Sequence, residues 1–366
     1  MKSTLKGLPI KYSSKTTPIC FFPSGDLLCY NNGGFLIVSN GRITTKNKPV
    51  FRGFSDIVGS KIRIINRLLR TGPRSGIAID EYNALISKGN YIYEYNVISN
   101  RLTKGYYCGE GIRPLSFCNV YGINGFKDGI YFGGYLMNME KAPVSIYYRT
   151  GVDKWEIVYT FPKGTINHVH SIIADEYRNC LWIFTGDFDE ASAIWKVTND
   201  FKSIERVFFN AQKFRSCVAF AVSEGILYAT DTPFTDNGVY LYDIKANSLK
   251  ELFLLHGSCI YGCKWGDQYV LSSTVEGDGR DNSFIRSLFS RRRGAGIVDE
   301  YVHLYTMSIQ DGIKEIYMEK KDKLPFYLFQ FGAFRFPAGN NLSNVLFFQP
   351  VATTDNDLSL MTLTAE

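Results

Sequence analysis

Residues 168–209 read HVHSIIADEYRNCLWIFTGDFDEASAIWKVTNDFKSIERVFF, and this stretch decides the fold. Four apolar segments follow one another in it: SIIAD, CLWIFTGD, AIWKV and IERVFF. Each is five to eight residues long and is bounded by Asn, Asp, Gly or Ser. Runs of that length, rich in β-branched and aromatic residues, are strands, and the short polar links between them make antiparallel neighbours. No helical period competes over this region. Four consecutive strands define one sheet of four.

The phrase NCLWIFTGD at 179–187, a turn residue followed by an apolar strand with small or polar residues at its end, recurs along the chain. The other copies are GDLLCYNN at 25–32, NALISKGN at 83–90, DGIYFGGY at 128–135, EGILYATDT at 224–232, DQYVLSSTVE at 267–276 and SNVLFFQPV at 343–351. Most are about 45 to 50 residues apart, the length of a four-stranded propeller blade. Each copy reads as the second strand of a blade. Flanking strands agree, with FCNVYG, VSIYYRT and WEIVYTF around the copy at 128, and CVAFAVS, GVYLYDI and LKELFLL around the copy at 224.

The expected fold is therefore all-β, a single β-propeller over residues 1–366. The count gives five full blades from about 61 to 321, one near 18–48 and three strands at the carboxy terminus. If LPIKYSS at 8–14 supplies the missing fourth strand there, the ring closes with seven blades; six is the alternative. Residues 277–300, rich in Gly, Asp and Arg, read as a long surface loop inserted into a blade.

Composition supports this class. The chain has 24 Tyr and 27 Phe, residues that suit pleated, half-buried surfaces. A formal charge of +6 over 366 residues is too small for a nucleic-acid-binding stripe, and the run Arg291, Arg292, Arg293 reads as a solvated loop tip with a further option of contacting anions. Eight cysteines, mostly inside apolar strands, read as buried thiols, and Cys259 with Cys263 has no second pair to complete a zinc site. No window has membrane-spanning length, and MKSTLKGLPIKYSSKTT lacks a signal-peptide core. A native start at this methionine implies the cytoplasm; removal of a signal peptide implies export.

The segment VSIYYRTGVDKWEIVYTF at 144–161 resembles an Asp-box through Tyr147, Arg149, Gly151, Asp153 and Trp155, and LYTMSIQDG at 304–312 resembles a second copy. The order FGGY, HVHSIIAD, WIFTGD, QKFRS, ATDT, STVE and FGAFRFPAG is similar to BNR-type propellers of the sialidase-like, polysaccharide-processing kind. That resemblance implies a carbohydrate site gathering arginines around a substrate carboxylate, with a tyrosine nucleophile for which Tyr135 and Tyr301 are candidates.

Propeller ligands sit where strand ends converge, so polar strand ends are the candidates. Tyr135, Asp187, Asp231 and Glu276 close second strands, while His168, His170 and Arg215 precede or open first strands. His168 and His170 alternate and should share one face. They could hold a divalent metal with Asp187, Glu190 or Gln212 as third ligand; alternatively, one of them fills a blade interface by bonding backbone. Asp187, Asp189 and Glu190 form an acidic cluster that suits acid–base work on a glycosidic bond or simple turn formation. Arg70, Arg74, Arg113 and Arg215 could bind a uronate or sialate carboxylate. No nucleophile elbow, phosphate loop or HExxH motif occurs.

The expected activity is binding and cleavage of an acidic or complex polysaccharide by hydrolysis or elimination. The catalytic set is His168, His170, Asp187, Glu276 and Tyr135, with Arg70, Arg74, Arg113, Arg215, Asp231 and Gln212 binding substrate. The alternative is a non-catalytic propeller serving as a glycan-binding or protein-interaction platform in surface-polysaccharide assembly.

Overall fold

The computed structural model describes residues 5, 7–46, 48–279 and 283–364. It is an all-β propeller of seven blades, each built on four antiparallel strands, with four short helices. All seven copies of the repeated phrase are second strands: Leu27–Asn31, Asn83–Lys88, Gly129–Tyr135, Cys180–Gly186, Gly225–Ala229, Gln268–Thr274 and Val345–Val351. Their burial explains the signal. Cys180–Gly186 is buried at every position and is apolar but for Thr185, whose hydroxyl donates to the Ala191 carbonyl, whereas the outermost strand of the same blade, Ser203–Phe209, is mostly exposed and carries Glu205 and Arg206. The seventh blade runs Ala333–Arg335, Val345–Val351, Leu360–Thr364 and then Ile10–Ser13, whose Ile10 pairs with Thr362. The amino-terminal strand thus completes the blade begun by the carboxy-terminal ones.

Two differences from the sequence-based strand count have physical causes. Residues 63–69, RIINRLL, are a helix, and the second blade starts only at Ser75–Ala78. What buries this helix is Arg67, with side-chain exposure of 0%, while Ile64 and Leu68 stay exposed. The loop after Gly277 carries a second short helix, Phe284–Phe289, and Arg292 of the arginine run pairs with the buried Asp278 at 2.5 Å.

The chain divides into two compact units, one of residues 1–85, 95–102 and 256–366, the other of 86–94 and 103–255. The second holds the third, fourth and fifth blades. Between the third and fourth lies an apolar layer of Tyr131, Ile146, Phe161, Val169, Ile183 and Trp195; between the fourth and fifth, one of Trp182, Phe184, Phe214, Ile226 and Tyr228. The blades approach so closely that a Cβ on Gly133 would stand 2.3 Å from Val169, which fixes glycine at that strand position. In the hairpin of Val144–Gly151 and Lys154–Phe161, Asp153 accepts from the Thr103 hydroxyl at 2.7 Å and the Gly105 amide at 3.1 Å, and Trp155 packs against Phe117 and Phe132. All eight cysteines are free thiols and six are buried. No helix among the described residues is long and apolar enough to cross a membrane.

In the first unit, Arg67 Nη1 lies 2.9 Å from both Asp322 and Asp357, and its Nη2 donates to the Phe329 carbonyl. Arg63, 42% exposed, reaches the same two carboxylates. Burial alone would raise the Asp322 carboxyl; Arg67 and Lys321 hold it below its usual range instead. Arg67→Ala removes the fully buried cation between the two carboxylates, leaving Asp357 only the part-exposed Arg63, and should cost about 3–5 kcal/mol in chemical unfolding. Arg63→Ala should cost less than about 1 kcal/mol, and equal losses would contradict the burial argument.

Candidate functional site

The second unit concentrates polar side chains at one end of its fourth blade. His168 opens the strand His168–Asp175, and a β-bulge at His170 interrupts the register: Val169 pairs with Thr185 and Ser171 with Phe184, leaving His170 without an opposite residue. Bulges re-aim side chains, and here the two imidazoles meet with Nε2 atoms 3.0 Å apart. Both rings are buried, at 3% and 2% exposure. Gly186, at the end of the adjacent strand, makes the room, since a Cβ there would lie 2.6 Å from His170 Cε1 and 3.2 Å from Arg215 Cγ.

Asp187 follows that glycine and is the hub. Its Oδ1 lies 3.2 Å from His168 Nε2, 3.1 Å from His170 Nε2 and 3.1 Å from Arg215 Nη2. Its backbone is held as well: the carbonyl accepts from Gln212 Nε2 and Arg215 Nη1, both at 3.1 Å, and the amide donates to Asn167 Oδ1 at 3.2 Å. Burial would push the Asp187 carboxyl up, but the Arg215 guanidinium beside it prevails and holds it well below the usual carboxylate range. Asp187 is ionised and not available as a general acid near neutrality.

The histidines are oriented from behind. His168 Nδ1 lies 2.8 Å from the Leu136 carbonyl, an acceptor, so Nδ1 carries the proton and Nε2 presents a lone pair to Asp187 and His170. His170 Nδ1 faces Asp231 Oδ2 at 4.0 Å and has no hydrogen-bond partner among the described residues. Burial pushes the His170 imidazole below its usual 6.5, against the pull of Asp187. Asp231 is buried, accepts from Cys217 Sγ at 3.1 Å, and sits 3.6 Å from Arg215 Nε.

A tilted aromatic contact flanks the histidines. The Tyr135 ring lies 4.2 Å from that of His168, and the Arg113 guanidinium is 5.0 Å from the Tyr135 centroid; the strand pairing Arg113↔Tyr135 sets this contact. Burial raises the Tyr135 phenol, with Asp187 adding to it, so Tyr135 keeps its proton and is not an anionic nucleophile.

Of the residues singled out in the sequence, the structure brings together His168, His170, Asp187, Arg215, Asp231, Gln212, Tyr135 and Arg113. Asp189 accepts from Gln212 Nε2 at 2.8 Å, while Glu190 points outward to Lys141 at 2.8 Å. Glu276 belongs to the first unit, where it is buried and accepts from Ser258. Arg70 and Arg74 are also in that unit, lining a cleft with Lys15, Tyr30 and Arg335; Arg70 caps the Arg63–Leu69 helix and donates to the Tyr327 carbonyl. Tyr301 lies there too, with Lys320 over its ring. The contribution of Asn167 and Leu136 was not legible in the sequence, because one acts through an amide cap and the other through its carbonyl.

Fold and site together define a β-propeller with a His–His–Asp–Arg centre whose imidazoles are buried and whose carboxylate is part-exposed. No family model matches the chain and no curated protein is similar to it. Among solved structures it is similar to an oligogalacturonate lyase in complex with manganese, over 99% of both chains, with TM-score 0.58 and 11% identity. It is also similar to the β-propeller domain of Cps50 (Swd1) from Myceliophteria thermophila, over 100% of both chains at TM-score 0.56 and 8% identity, and to the AfRom2 CNH domain, with TM-score 0.52 and 8% identity. At these identities the likeness is one of fold.

The site gives a pH signature. An imidazole whose folded pKa is depressed takes its proton more readily when unfolded, so its contribution is complete above 6.5 and declines as pH falls below that value. The melting temperature of chelator-treated protein should fall between pH 7 and 5, and His170→Phe should flatten that fall. An unchanged profile in the variant would remove His170 from the account.

Proposed function

We propose that the chain is a carbohydrate-active propeller that binds an acidic saccharide at the Asp187 centre and cleaves it by elimination, with a divalent cation held by His168, His170 and Asp187. One observation carries the reading: His168 Nε2, His170 Nε2 and Asp187 Oδ1 lie 3.0–3.2 Å from one another, while His168 keeps its proton on the far nitrogen. Lone pairs turned toward one another in a buried place are costly without a cation or proton between them. Nitrogen and carboxylate donors fit zinc or manganese, and the backbone carbonyl behind His168 is the usual support for a metal-binding imidazole. The manganese in the lyase of similar fold supports the same class of ion.

Elimination from a uronate needs its carboxylate neutralised, a proton removed from the adjacent carbon and a proton delivered to the departing sugar oxygen. When bound, the cation would supply charge neutralisation at the carboxylate. Arg215 adds a fixed positive charge beside it. Asp231, whose Oδ1 has no hydrogen-bond partner among the described residues, is the acceptor available for the proton. Tyr135, held as a phenol, is the donor. Hydrolysis by a carboxylic acid fits less well, because Asp187 is kept ionised.

Incubation with oligogalacturonides and Mn²⁺ should generate the ultraviolet absorbance of an unsaturated uronate. Tyr135→Phe should lower kcat by about 100-fold or more with little change in KM, and chelation should abolish turnover reversibly. Binding of the oligosaccharide without product would support a non-catalytic glycan-binding platform, and neither binding nor product with any uronate would overturn the assignment.

A further inference from the structure

The other two of the four histidines form a second cluster, in the sixth blade and wholly within the first unit. His256 stands in the turn before the strand Ser258–Trp265, Asp299 in the turn before Tyr301–Ser308, His303 on that strand, and Glu315 on the neighbouring Gly312–Lys320. His303 is buried, at 3% side-chain exposure, between two carboxylates. Its Nδ1 lies 2.7 Å from Glu315 Oε2, so the proton belongs on Nδ1. Its Nε2 then faces both oxygens of Asp299, each at 3.1 Å, and His256 Nδ1 at 3.1 Å. His256 Nδ1 is itself 2.8 Å from Asp299 Oδ2.

We infer that His256, Asp299 and His303 form a divalent-metal site for a zinc-like ion, with Glu315 orienting His303 through Nδ1. One nitrogen from each ring and the Asp299 carboxylate point at a common position, the two-imidazole, one-carboxylate donor set that suits zinc. The carboxylate–imidazole pair behind it fixes the ligand tautomer and raises its basicity. His256 and Asp299 are 46% and 31% exposed, so the ion would enter from solvent and keep an open position for water or an exchangeable ligand. Tyr305 stacks on His303 with ring centroids 5.8 Å apart, backing the site from the strand. Such an ion would tie the turn at His256 to the third strand of its blade, independently of any saccharide activity. The competing arrangement is a doubly protonated His303 shared between Glu315 and Asp299, which would bind no metal.

The test uses Zn²⁺ alone on the full chain carrying His168→Ala/His170→Ala, which removes the other imidazole pair. Competition with a chelating dye should give one Zn²⁺ per chain, and Co²⁺ in its place should show the visible absorption of a low-coordinate site. His256→Ala, at a half-exposed position, should weaken binding by more than about 100-fold and bleach that absorption while leaving the chemical-unfolding midpoint of the metal-free protein close to that of the parent. Glu315→Gln should weaken it by about 10–100-fold while retaining the stoichiometry. Absence of Zn²⁺ binding in the double variant, or binding indifferent to His256→Ala, would overturn the inference.

Discussion

A half-buried carboxylate set among two buried imidazoles and a guanidinium cannot give up its charge without leaving Arg215 only the longer contact to Asp231, and the end of the fourth blade is arranged around that constraint. Asp187 is gripped at its amide, its carbonyl and its side chain. The bulge at His170, the bare Cα of Gly186 and the amide caps from Asn167 and Gln212 all serve its position. Because the charge is fixed by neighbouring blades, their packing becomes a condition of the chemistry. The Gly133–Val169 approach and the aromatic layers around Trp182 and Trp195 set the distances on which the site depends.

The architecture was legible because a propeller repeats one burial pattern. A second strand packed on both faces is apolar through its middle and turns small or polar only at its end, and seven such runs recur in the sequence. The helix at Arg63–Leu69 was not legible for the opposite reason. An arginine buried between Asp322 and Asp357 holds it, and those partners are more than 250 residues away. Sequence patterns record apolar periodicity and say little about distant ion pairs.

The site was partly legible for a related reason. His168 and His170 are two apart on one strand, so alternation places them on one face, although the bulge that turns His170 is not visible in that spacing, and the strand-end rule adds Asp187, Asp231 and Arg215. Spacing cannot distinguish a carboxylate that faces the histidines, Asp187, from one three residues on that faces solvent, Glu190. Nor could it find the cluster at His256 and His303, whose 47-residue separation acquires meaning only once the sixth blade's register is known. A signal was present in principle: Asp299 and His303 flank the start of an apolar strand opposite Glu315.

The central claim is that an ionised Asp187 faces the lone pair of His168 and a neutral His170. Nitrogen-resolved magnetic resonance of the histidine rings in the metal-free protein tests it most directly. The account predicts that His168 carries its proton on Nδ1 and none on Nε2, and that His170 remains neutral as the pH is lowered past 6.5. A His168 protonated on Nε2, or a His170 that becomes an imidazolium at or above that pH, would contradict it.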